Sequence, residues 1–131
     1  MKKFLLFIFV CSLGMCLFSC NRDDDKEAKT ETKALITVKK NGVLQAATTV
    51  YMFKTGKGPN SSFFTPFHAD KQVVTDKGGT ATFELLDSFD LNIIDTQTTF
   101  YFAVFDGNEK LLGKTAITLK KGETKSSEIS Y

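Results

Sequence analysis

Tryptophan is absent from this 131-residue chain, histidine occurs once, proline twice and cysteine three times. The cysteines are Cys11, Cys16 and Cys20, so nothing beyond residue 20 carries a thiol. That excludes a disulfide framework and a cysteine metal site from the rest of the chain. A single histidine, His68, leaves out the usual zinc ligand sets as well. The lack of tryptophan, a common sugar-stacking residue, weakens a carbohydrate-binding reading. Neither sign of charge dominates: the formal net charge is +2, a poor basis for holding nucleic acid. The longest unbroken apolar stretch starts at Phe4 and ends within the first 20 residues, short of the roughly 20 residues a spanning helix needs.

What is present begins with a targeting pattern. Met1-Lys2-Lys3 is a positive start, and Phe4 to Leu17 is an apolar core. Leu17-Phe18-Ser19-Cys20 closes it. This tetrapeptide resembles the lipobox of bacterial lipoproteins: Leu, an apolar residue, a small residue, and the cysteine that takes lipid and becomes the new N-terminus. The resemblance implies a cleaved signal peptide over residues 1–19, fatty acyl chains such as palmitate on Cys20, and an outer-membrane location. One acyl chain binds a bilayer marginally, at about 0.8 kcal/mol per buried methylene, and two or more make anchoring stable. Cleavage removes Lys2 and Lys3 from the 17 basic residues and leaves 15 against 15 acidic ones. A domain with no cationic excess depends on its lipid to stay on a membrane.

Residues 20–33 read as the lipidated cysteine and a solvated tether. The segment from Asn21 to Lys33 has no apolar side chain larger than Ala28, so it cannot bury enough surface to offset its ordering entropy. Extended, it reaches roughly 40 Å. Asp23, Asp24 and Asp25 resemble the acidic export signal that carries some Gram-negative lipoproteins to the cell surface; the plainer reading is a charge run that keeps the tether soluble.

From residue 34 to residue 131 the pattern is of short β-like runs and turns, with no sustained helical period. Ala34–Lys40 alternates, with Ile36 and Val38 on one face. Asn41-Gly42 is the strongest short hairpin signal. Thr48–Phe53 follows, with Val50 and Met52 on one face, and Tyr51 and Phe53 on the other needing cover. Lys71–Thr75, Thr80–Leu86 (Ala81, Phe83 and Leu85 inward), Thr99–Phe105, Lys114–Leu119 and Lys125–Tyr131 complete seven expected strands. Thr99–Phe105 is apolar on both faces and is expected at the centre of a sheet. Lys125–Tyr131 is polar, an expected edge with Ile129 inward. The fold class expected is all-β: one Ig-like or prealbumin-like antiparallel sandwich. Ile36-Thr37-Val38, Gly42, Val50, the run Val74 to Phe83 and Tyr101–Phe105 resemble the carboxypeptidase-regulatory and transthyretin-like family. Segments 54–70 and 87–98 depart from its compact pattern. The family resemblance implies an accessory or adhesive module and no enzyme.

The residues that could carry chemistry are few. Ser61, Ser62, His68 and Asp70 are close in sequence, but no nucleophile elbow accompanies them. Glu84, Asp87, Asp90 and Asp95 are acids in or beside turns, where Asp serves backbone bonding. Gly56-Lys57-Gly58 lacks the order of a phosphate loop. Asn60-Ser61-Ser62 matches a glycosylation sequon, a reading that seldom applies in a bacterium. No cofactor or metal is implied. The remaining candidate is aromatic: Phe63, Phe64 and Phe67 on the 54–70 loop, with Tyr51 and Phe53. Exposed together they form a partner site for an unknown protein or glycan; folded over a sheet they complete a satellite core. The function expected is a lipid-anchored binding or adhesion-type module. The alternatives are a structural subunit or inhibitor that pairs through Lys125–Tyr131, and a small hydrolase.

Overall fold

The computed structural model describes residues 31–88 and 97–131. Cys20, the acidic run Asp23–Asp25, Asp90 and Asp95 lie outside them. Eight strands are present among the described residues: β1 (Lys33–Lys40), β2 (Val43–Leu44), β3 (Thr49–Phe53), β4 (Lys71–Val74), β5 (Thr80–Glu84), β6 (Gln97–Phe105), β7 (Leu111–Lys120) and β8 (Thr124–Ser130). Short 3₁₀ turns occur at Pro66–His68 and Leu86–Ser88. No helix among these residues is long and apolar enough to cross a membrane.

The strands form two facing sheets, an all-β sandwich. In the first, β1 is central, with β8 along one side and β5 and β2 sharing the other. The second has the order β4-β3-β6-β7. Inward residues follow the period of two: Ala34, Ile36 and Val38 from β1, Val50 and Met52 from β3, Ala81 and Phe83 from β5, Phe100, Phe102 and Val104 from β6, Ile117 and Leu119 from β7, and Ile129 from β8, all buried in one cluster. Phe83 and Phe102 meet across the sheets with ring centroids 5.1 Å apart. β6 is central, as its two apolar faces predict, and β8 is an edge.

Three details differ from the sequence reading. First, Thr32 and Lys33, assigned to the tether on composition, belong to the folded unit. Thr32 is buried; its hydroxyl accepts from the Gly122 N–H (2.8 Å) and its carbonyl from the Leu85 N–H (2.9 Å). Polar composition misses such a residue because its partners lie far along the chain.

Second, Asn41 and Gly42 do turn the chain, both at positive φ (52° and 80°), as a two-residue hairpin loop requires. The returning strand is only Val43–Leu44. The chain then crosses to the other sheet, and Thr75 pins the crossing. Its hydroxyl donates to the Gln45 carbonyl (2.6 Å) and accepts from the Thr48 N–H (2.9 Å). Its backbone bonds Ala47 and Thr48. Thr75 is buried, so Thr75→Val, equal in shape, leaves two backbone groups without a partner. We expect a loss of about 1–3 kcal/mol in urea unfolding; an unchanged midpoint would show that water replaces the hydroxyl there.

Third, β7 and β8 are joined by a tight turn yet are not laddered to each other. The turn docks on the start of β1, where the Lys33 N–H bonds the Glu123 carbonyl (3.0 Å). It thereby delivers β8 to β1, and the two run parallel from Lys33↔Thr124 to Lys39↔Ser130. Every other pairing among the described strands is antiparallel. At the end reached by Lys40, Asp76 and Asp106 close similar turns. Each carboxylate accepts two backbone N–H groups, from Gly78 and Thr80 or from Asn108 and Lys110.

Candidate functional site

The 54–70 segment leaves β3 after Phe53 and returns as β4. Its base is closed by Asp70. One carboxylate oxygen accepts the Lys54 N–H (2.8 Å), the other meets the Lys57 ammonium (3.0 Å), and the Asp70 N–H donates to the Met52 carbonyl (2.8 Å). Lys57 also donates to the His68 carbonyl (3.1 Å), and the Thr55 hydroxyl to the Thr99 carbonyl (2.7 Å). Partial burial pushes the Asp70 carboxyl up; the Lys54 N–H and the Lys57 charge outweigh it and hold the group below its ordinary 3.8.

The sign of the pH effect follows from that lowering. A depressed carboxylate contributes stability above its unfolded pKa and loses it as pH falls through the folded one. The clamp is therefore intact at neutral pH and fails progressively below about pH 4. The protection factor of the Lys54 amide, its intrinsic exchange rate relative to the observed rate at each pH, is expected to fall across that window, and Asp70→Asn to flatten the response. A protection factor that does not change with pH would remove the clamp.

The aromatics divide into two groups. Phe64 is the root, only 8% exposed. Its ring lies 4.5 Å from Phe53 and 5.9 Å from Phe105, and Phe105 in turn meets Tyr51 edge-on at 5.6 Å. With Ala103 and Tyr101 these rings form a second apolar cluster on the outer face of the second sheet. Tyr51 and Phe53 thus find the cover their positions demand. Phe105 was not singled out from the sequence, although the two-sided apolarity of Thr99–Phe105 marks its face.

Phe63 and Phe67 are the other group, 50% and 86% exposed. Between them sits His68, whose ring is 5.0 Å from Phe63 and 5.1 Å from Phe67, each edge-to-face. His68 Nδ1 shares a 2.8 Å hydrogen bond with the Thr65 hydroxyl, and Pro66 opens the 3₁₀ turn carrying Phe67 and His68. Three adjacent rings are therefore held at the surface by a loop fixed at its base and its middle.

The other candidates have different partners. The Ser61 hydroxyl accepts from the Phe63 N–H (3.1 Å), and Asp70 serves the loop base, so the structure does not assemble Ser61, His68 and Asp70 as a relay. Ser62 is exposed. Glu84 pairs with Lys33 (3.3 Å) and Asp87 with Lys71 (2.6 Å). No group of three His, Cys, Asp or Glu among the described residues is placed to hold a metal. Gly56, Gly58, Pro59, Asn60, Ser61 and Tyr101 line a shallow open depression. β8 is taken by β1 on one side. On the other it meets β7 without a ladder: the Thr115 and Ser127 hydroxyls share a 2.6 Å hydrogen bond, and the Lys125 ammonium of β8 donates to the Thr118 carbonyl of β7 (2.8 Å).

Comparison with family models, with curated proteins and with solved structures finds no match to this chain.

Proposed function

We propose that the chain is a non-enzymatic, lipid-anchored outer-membrane protein, displayed at the cell surface, whose sandwich acts as a binding or adhesion-type module. Cys20 carries the lipid, Asp23–Asp25 direct export, and the tip of the 54–70 loop is the contact surface. The sandwich itself supplies the scaffold on which that loop is carried.

One observation carries this reading: Phe63 and Phe67 stay in water on a loop that buries Phe64 three residues before one and directly after the other. Burying a phenylalanine is worth about 1.5–3 kcal/mol, so a braced loop that presents two of them offers a ready apolar contact. Pairing through β8 is the second reading: β1 takes one side of that strand, and β7 meets the other through side-chain hydrogen bonds without a ladder.

The test compares the soluble domain, made with Cys20→Ser, with its Phe63→Ala, Phe67→Ala variant in pull-downs from outer-membrane extract. Both side chains are exposed, so stability should change by no more than about 0.5 kcal/mol while recovery of the partner falls. Equal recovery would remove the tip as the contact surface. Mass spectrometry of the membrane fraction checks the anchor: a chain that still begins at Met1, or a Cys20 without acyl groups, overturns it.

A further inference from the structure

The two ends of the sandwich carry different things. β1 starts at Lys33, beside Glu84 at the end of β5 and Thr124 at the start of β8. The 54–70 loop springs from the same end, for Lys71, where it returns, donates to the Glu84 carbonyl (2.6 Å). The Asn41-Gly42 hairpin, the two Asp-closed turns and Tyr131 occupy the opposite end, where the Asn41 N–H bonds the Tyr131 carbonyl (2.8 Å). The chain therefore enters the fold at the end where the loop carrying Phe63, Phe67 and His68 is rooted, and that loop folds over the outer face of the second sheet. From Cys20 to Glu31 the chain reaches roughly 36 Å at most.

We propose that the partner of the aromatic tip is the bilayer itself: Phe63 and Phe67 seat in the membrane interface beside the lipid on Cys20. The inference rests on the proposed anchor at Cys20 and on the tip as contact surface, and it names that surface's partner. The chemistry suits a lipid surface. Two apolar rings protrude from a braced turn, while the Lys57 ammonium beside them is already matched by Asp70, so the contact draws on apolar burial more than on charge. The acyl anchor raises the local concentration of the rings at the surface, so that an apolar contact weak by itself is held there.

The composition supplies the test. Beyond residue 20 the chain has no cysteine, and it has no tryptophan anywhere. Residues 20–131 can be coupled through the Cys20 thiol to a maleimide phospholipid in phosphatidylcholine vesicles, with Phe67→Trp as sole fluorescent reporter. Val43→Trp, exposed at the opposite end, serves as control. The Phe67→Trp emission should move to the blue on coupling, and acyl-brominated phosphatidylcholine should quench it several-fold more than Val43→Trp. Adding phosphatidylglycerol should change little. Equal spectra and equal quenching at the two positions would overturn the bilayer as partner. If the alanine pair still loses a protein in the pull-down, the tip remains a contact surface and only its partner is reassigned; if neither assay responds, both readings fall.

Discussion

Phe102→Ala should cost about 3–5 kcal/mol in urea unfolding followed by far-ultraviolet circular dichroism. Phe102 is fully buried at the middle of β6, and β6 lies between β3 and β7. Its ring faces Phe83 across the two sheets, so truncation opens a cavity where the layers meet. No disulfide can cross-link the domain, since no cysteine lies beyond residue 20. A domain of this kind has about 5–15 kcal/mol of stability in total, and one truncation then removes a large share of it. Phe102→Leu keeps most of the volume and should lose less. A Phe102→Ala loss below about 1 kcal/mol would place the centre of the core elsewhere.

Gly113→Ala is the second large effect, in the opposite steric sense. A Cβ at Gly113 would stand 2.6 Å from Ile129 Cγ2 and 3.3 Å from the Ser130 carbonyl oxygen. Ile129 is buried and β-branched, with a stiff χ1, so the end of β8 must move as a body. Overpacking of this sort costs about 1–3 kcal/mol. Ile129→Leu removes the branch that collides, and the double variant should regain part of the loss. The two changes are therefore expected to be non-additive in a double-mutant cycle. Strict additivity would mean that Gly113 is dispensable for the close approach of β7 and β8.

Much of the sandwich could be read from the chain because an alternating pattern reports which side chains face inward. Ile36, Val38, Val50, Met52, Ala81, Phe83, Leu85, Ile117, Leu119 and Ile129 are all buried as their alternation predicts. The same period cannot say which strand lies beside which. A short turn between β7 and β8 reads as a hairpin, although the contacts that divert it, Gly122 to Thr32 and Lys33 to Glu123, join residues some ninety positions apart.

The aromatic loop was legible as a cluster but not in its division. Phe63, Phe64 and Phe67 are alike in composition. What separates them is the path set by Asp70, the 3₁₀ turn after Pro66 and the landing of Phe64 on Phe53 and Phe105. His68 drew notice as a potential base and is instead the ring between two exposed phenylalanines.

The parallel pairing of β1 with β8 has a consequence for assembly. A polypeptide that emerges amino end first, from a ribosome or a secretion channel, produces β1 at the outset. One flank of that strand waits for its partner until β8 has appeared, some ninety residues later. A chain halted before Thr124 carries an open, pairing-competent border along β1.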